Sequence, residues 1–474
     1  MKRGVFGALA LMLWIASAEA QATPDDLAAR DLHRRAVEAM IWAMPAVNTD
    51  LMLQAMLATT KAGVNEVVYW SKPVNWKNQT LTPNPDSIYF MSFWNVKDGP
   101  IVIDIPPAQG GSIAGNIVTA WQMPLEDAGP EGADKGRGGR YLIMSPDYKG
   151  KVPAGYIPLR SDTSSGFALL RSSLASHRES DIDKSAAYGK RIRVYPLAQA
   201  ANPPPTRFTD AYDTMFDATI PYDARFYRNL DRVVQNEPWL DRDRVMIDQL
   251  RTIGIEKGKR YDPDRKTEEI LDSAAREAHA LLSRWYDAGF PVINPGIRWF
   301  PAAMPEMVKA AQGGYADPNA YPVDVRGVTY TLGFTGIKRI GTAQFYLMVG
   351  KDRDGQPFDG GATYRLIVPP NAPVKQYWSA TVYDRETHAL VRNMPRASRA
   401  SISDGIQKNA DGSIDVYFGP KAPDGKEANW VPTDPSRKFE LLFRLYGPEK
   451  PLFDHSWKLP DVERMSVTAG GSTK

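Results

Sequence analysis

The hydrophobic spacing of this chain switches between a helical and a strand period along its length, which restricts it to a mixed fold with more than one β-rich unit. Residues 25–62 carry Leu32, Ala36, Ala39, Met40 and Ala43 at helical spacing; Pro45 breaks the pattern, and Leu51 to Leu57 resume it. From about Val67 to Pro196 the runs are short and β-like, "SIYFMSFWNV", "IVIDIP", "GRYLIMSP" and "GFALLRSS", separated by Pro and Gly clusters. Residues 206–310 return to three-and-four spacing in "DRDRVMIDQLRTIGI" and "KTEEILDSAAREAHALLSRWYDAGF", with Gly254 and Gly289 where helices should stop. From about Tyr330 the β pattern comes back. Alternation in Phe439-Glu440-Leu441 and Phe443-Arg444-Leu445-Tyr446 predicts antiparallel strands with one face buried.

The expected fold class is therefore α+β: two β-rich domains, the C-terminal one jelly-roll or sandwich-like, with helical segments before and between them. The expected divisions are a signal peptide over 1–20, a helical segment over 21–62, a β-rich domain over 63–205, a helical connection over 206–325, a β domain over 326–465 and a disordered tail over 466–474. No solenoid period or low-complexity tract is present.

Met1-Lys2-Arg3, the apolar stretch from Gly4 to Ala16 and Ala18-Glu19-Ala20 have the form of a cleavable secretory signal, too short to span a bilayer. Cleavage after Ala20 would place the mature chain in the periplasm or outside the cell, with no membrane attachment. The 474 residues include no Cys, so stability must come from a large core rather than disulfides, and thiol catalysis, thiolate zinc sites and iron–sulfur clusters are excluded. A net charge of +3, with Lys and Arg scattered among Asp and Glu, gives no nucleic-acid footprint.

The stretch Thr82-Pro83-Asn84-Pro85-Asp86-Ser87-Ile88-Tyr89, with "IVIDIPP" and "DKGRGGRYLIMSPDYKGKVPAGY" after it, resembles the N-terminal domain of a bacterial family, the domain of unknown function 1254. The segments "YWSATVYDRETHALVRN", "NADGSIDVYFGP" and "NWVPTDPSRKFELLFRLYGP", with the late Trp457, resemble its usual partner, the domain of unknown function 1214. Pro85 departs from the pattern, which often has Asn there, so any polar role at that position is lost. The resemblance implies two β-rich domains with helices packed between them. It supplies no activity to carry over.

Familiar catalytic motifs are missing: no G-x-S-x-G elbow, Walker A loop, H-E-x-x-H or H-x-H occurs, nor any nucleotide or haem signature. The cofactor is thus unknown from sequence. His33, His177, His279, His388 and His455 are far apart, so a metal site would have to be assembled by the fold. His388 is the first choice as ligand or base, against the alternative of a hydrogen-bonded structural His. Asp352, Asp354 and Asp359 raise a calcium option, but the full loop pattern is missing and a hairpin with Asp-Gly turns accounts for the same residues.

The 12 Trp and 21 Tyr offer either sandwich core or stacking platforms. Thr82-Pro83-Asn84 suits a turn, which puts Asn84 and Asp86 at a strand entrance. A pocket between the β domains would let Asn84, Asp86, Tyr89 and Trp121 face Trp378, Tyr383, Asn393, Arg399, Asn429 and Trp430. Asp86 and Tyr383 are then candidate acid or base, and Arg140 or Arg399 would pair an anionic substrate group. The leading expectation is an exported hydrolase or lyase acting on a small or oligomeric substrate in this aromatic-lined cleft. A non-catalytic envelope protein that binds a ligand or another protein, and a metalloenzyme with fold-assembled ligands, are the alternatives.

Overall fold

The computed structural model describes residues 23–333, 336–339 and 343–465; the expected signal peptide and C-terminal tail lie outside them. Thr23 starts the first helix, Pro24–Thr59, through a capping box: its hydroxyl accepts from the Asp26 amide at 3.2 Å, and the Asp26 carboxylate accepts from the Thr23 amide. The expected break at Pro45 does not occur, and the helix runs through it. Proline cannot donate to the Ile41 carbonyl, but tertiary packing overrides that loss. All residues from Ala36 to Asp50 except Glu38 are buried. Gly327 of the helix Val323–Thr331 approaches so closely that a Cβ there would lie 3.0 Å from the Ile41 oxygen. The helices Arg225–Asn236, Arg265–Gly289 and Val323–Thr331 all pack on this first helix, so the leading and connecting helical segments form one layer. Tyr330 closes the last of these helices, and the β pattern expected from that residue begins instead at Gln344.

The N-terminal β domain has two main sheets, beside a short pair of Asn78–Gln79 with Phe216–Asp217. The larger one is ordered Phe208–Asp210, Val67–Tyr69, Ile88–Asn95, Ser165–Ser172, Ile113–Thr119, Pro124–Ala128; the smaller is Arg193–Pro196, Ile101–Ile105, Gly139–Met144, Tyr156–Arg160. Alternation along Ile88–Asn95 divides its side chains between two cores. Ile88, Phe90 and Trp94 meet Ile103, Tyr141 and Ile143 of the smaller sheet, whereas Tyr89, Met91 and Phe93 face the helical layer.

The C-terminal domain repeats this plan. Phe300–Pro301, Gln344–Val349, Phe439–Tyr446, Trp378–Asp384 and Ser398–Ala400 form one sheet; Trp430–Pro432, Ile414–Gly419, Tyr364–Val368 and Glu463–Arg464 form the other. Leu441, Phe443 and Leu445 fill the sandwich core with Leu366, Val416 and Phe418. The chain is thus α+β, with two β sandwiches that each turn one sheet's outer face toward the helices and toward each other. This arrangement corrects one expectation: all eight residues of Phe439–Tyr446 are buried, with Glu440 at 0% and Arg444 at 1% exposure. Their polar face looks into the molecule because the helices and residues 80–89 cover it. No helix of the described residues is long and apolar enough to cross a membrane.

Candidate functional site

Residues 82–89 enter the strand Ile88–Asn95 and are tied to the C-terminal domain by several hydrogen bonds. Thr82 adopts φ +37°, an uncommon conformation for a β-branched residue, and is fixed there by its amide to the His388 carbonyl at 2.7 Å and its hydroxyl to the Leu332 carbonyl at 2.6 Å. Asn84, 1% exposed, donates from Nδ2 to the hydroxyls of Tyr446 at 2.7 Å and Tyr377 at 3.2 Å, while its amide donates to the Tyr89 hydroxyl at 2.8 Å. Tyr377 donates to the Asp86 carbonyl at 3.0 Å, and Tyr383 to the Pro83 carbonyl at 2.6 Å. The turn is therefore an interdomain latch. Asn84→Ala leaves buried tyrosine hydroxyls short of a partner and should cost about 1–3 kcal/mol in urea unfolding.

Beside the latch lies a cavity of about 420 Å³, within the usual range for small-molecule sites. The first domain contributes Tyr89, Met91, Asn116, Leu169 and Arg171, the second Gln344, Tyr346, Met348, Leu442 and Arg444, and the helices Asn48, Met52, Val308 and Lys309. Arg444 donates to the Tyr383 hydroxyl at 2.6 Å, the Thr82 carbonyl at 2.8 Å and the Thr381 hydroxyl at 3.0 Å, and its Nε has no partner. The Arg171 guanidinium sits 5.4 Å from the Tyr89 ring centroid, and its Nε is likewise unpaired. Tyr89, Tyr346 and Tyr446 surround both groups. Neither arginine forms an ion pair with a carboxylate among the described residues.

Burial pushes the Tyr377, Tyr383 and Tyr446 hydroxyls above their ordinary range, so they stay neutral and supply no counter-charge. Among the described residues no carboxylate pairs with either cation at the cavity wall.

Of the sequence-predicted site residues, Tyr89 lines this cavity. Asn84 and Tyr383 support it from behind, and the neutral Tyr383 phenol has no standing as a base. Asp86, completely buried, does not line it: Oδ1 accepts from Ser398 Oγ at 3.0 Å and lies 3.2 Å from His177 Nε2. Burial disfavours a charged His177, but contact with Asp86, helped by Asp404, outweighs it and raises the imidazole pKa. The folded state therefore binds the extra proton, and this contribution is complete below the unfolded value of about 6.5 and fades as pH rises through the folded one. Unfolding free energy should fall with pH above about 6.5, and His177→Gln should flatten that slope.

His388 is also a structural partner. It is 4% exposed, has φ +55°, and its Nδ1 lies 2.6 Å from Glu440 Oε1. The expected tryptophan platforms are occupied by packing: Trp121 lies 4.6 Å from Trp42, Trp378 lies 5.4 Å from Phe443, and Trp430 donates to the Gly419 carbonyl at 2.8 Å. Asn429 staples Gln407 and Asp415, Asn393 is an exposed turn residue at φ +62°, and Arg140 is exposed over Tyr156. Arg399 is half-buried on its strand with Nε unpaired, and it does not line the cavity. In the calcium candidate, Asp352 Oδ1 accepts from the Gln356 amide and Asp359 Oδ1 from the Gly361 amide, as turn residues do. Among the described residues no group of three or more His, Cys, Asp or Glu is placed to hold a metal ion.

Sequence reasoning missed Arg171 and Arg444. A signal existed: each interrupts an apolar strand, in "GFALLRSS" and "FELLFRLYGP". Alternation assigns such a residue to the face opposite the sandwich core, but that face is as easily solvent as cavity.

The family described as Protein of unknown function (DUF1254) matches residues 64–196, and that described as Protein of unknown function (DUF1214) matches residues 343–450. No curated protein matches the sequence. The crystal structure of the VPA0106 protein from Vibrio parahaemolyticus is similar at 17% identity and a TM-score of 0.56, over 92% of this chain and 100% of that one, which shows a shared fold. A crystal structure of an uncharacterized protein from Burkholderia cenocepacia aligns at 12% identity and a TM-score of 0.40, over 93% of this chain and 96% of that one. The two family matches fall in order on the two sandwiches, with Arg171 in the first and Arg444 in the second: the chain belongs to the two-domain family in which DUF1254 precedes DUF1214.

Proposed function

We propose that this protein is a binding protein for a small organic anion, held in the cavity between its two sandwiches. The observation that carries the reading is the pair of guanidinium groups, Arg171 and Arg444, at the cavity wall with tyrosines around them and no carboxylate partner among the described residues. An unpaired charge withdrawn from water is costly, and a bound carboxylate is the natural partner of a guanidinium fork.

The test is thermal unfolding with and without simple carboxylates. A ligand at 100 times its dissociation constant adds about 2.7 kcal/mol of stability to the native state. Stabilisation by organic carboxylates in the parent protein, absent in Arg171→Met, is the expected result; equal stabilisation of both would sink the proposal. The same reading places the protein outside the cytoplasm, on the basic start, apolar stretch and Ala18-Glu19-Ala20 of the N-terminus. A mature form beginning at Gln21 checks this.

A further inference from the structure

Arg171 belongs to two cavities at once. Behind the 420 Å³ chamber lies a smaller one of about 120 Å³, and the two share Asn116, Arg171, Ile337 and Gln344. The smaller chamber mixes small apolar residues with Ser87, Ser112, Ser173, Gln376 and Tyr377, and its charged residues besides Arg171 are Lys375 and Arg339 on the cationic side and Asp127 and Glu131 on the anionic side. The larger one has apolar wall residues Met52, Met91, Leu169, Val308, Met348 and Leu442. A guanidinium thus stands where the two chambers meet, and a largely apolar space with a few polar groups, Arg444 and Lys309 among them, opens from it.

We infer that the ligand is an amphiphilic monocarboxylate: a medium-length alkyl chain lies in the larger chamber and its carboxylate lies at Arg171, where the two chambers join. This deepens the anion-binding reading and rests on it. The apolar wall would give nothing to a small hydrophilic anion such as an inorganic ion, and the guanidinium groups would be left without a counter-charge by a neutral alkane. Three of the six wall residues named are methionines, whose flexible, polarizable thioethers adapt to ligands of differing shape. Selection along the chain is accordingly by length rather than by fine shape. Each methylene that enters the chamber should tighten binding by about fourfold until the space is filled.

Calorimetric titration of the full chain with octanoate, propanoate and octan-1-ol separates the contributions. Octanoate is expected to bind, propanoate to bind more than a hundredfold more weakly, and octan-1-ol at least tenfold more weakly than octanoate. Arg171→Met should bring octanoate down to the level of the alcohol. If propanoate bound as tightly as octanoate, the amphiphile would be wrong while the anion site survived. If octan-1-ol matched octanoate, or if none of the three gave heat, the anion site itself would fall. Should Arg171→Met not fold, the comparison of octanoate with octan-1-ol in the parent protein still decides between these outcomes.

Discussion

Arg171→Met should yield a protein that is more stable than its parent and binds organic anions far more weakly. The guanidinium of Arg171 is half-buried against Tyr89, with Nε unpaired and no carboxylate in contact. Keeping a cation in such a place opposes folding, because burial removes its hydration and no carboxylate among the described residues pairs with it. Methionine fills a similar volume and joins Met91 and Leu169, which already line the same wall. Replacing buried charge by apolar side chains of like size commonly gains about 1–4 kcal/mol, and the lower half of that range suits a half-buried group. The expected observation is a melting temperature raised by a few degrees, together with at least a tenfold loss of carboxylate affinity. Such an exchange of stability for binding marks a functional residue. A variant that is both less stable and unaltered in binding would assign Arg171 a purely structural role.

The second large effect is expected at Glu440. This residue is completely buried, yet its carboxylate accepts from Tyr286 at 2.7 Å and meets His388 Nδ1 at 2.6 Å. Burial, and then the neighbouring Glu440 charge, hold the Tyr286 hydroxyl well above its ordinary pKa, so it remains a donor. The Arg385 guanidinium lies 4.3 Å from the Tyr286 ring centroid and adds a positive charge nearby. Glu440→Ala would strand both partners and should cost about 3–5 kcal/mol in urea unfolding, whereas Glu440→Gln, which keeps one acceptor, should cost less. The damage should reach the cavity as well. The His388 carbonyl fixes Thr82, and the Thr82 carbonyl holds Arg444, so the Ala variant should also lose carboxylate affinity. A loss below about 1 kcal/mol would mean that water replaces the carboxylate, and the triad would not be the anchor described.

Both residues lie in strands whose existence was plain from the sequence. Ile88–Asn95, Ile101–Ile105, Gly139–Met144 and Ser165–Ser172 fall on the β runs read from apolar spacing and turn residues, and the helix Arg265–Gly289 ends at Gly289 as expected. These features are local: a residue's period and its nearest breakers are visible without knowing what packs on it. The latch was partly legible for the same reason, since Pro83 and Asn84 set a turn whatever lies opposite.

What the sequence by itself determined is the α+β class, the two β-rich domains and their resemblance to the family, because strand and helix periods are written in neighbouring residues. The tertiary structure alone decided which polar residues matter. Alternation placed Arg444 and Glu440 opposite Phe443 and Leu441, but only the helical layer and the other domain turned that opposite face from surface into interior. It also carried the first helix through Pro45 and turned Trp121 and Trp378 into packing rather than platforms. Burial, and with it the cost of an unpaired charge, is a property of what covers a residue, and the cover here comes from segments up to hundreds of positions away in the chain.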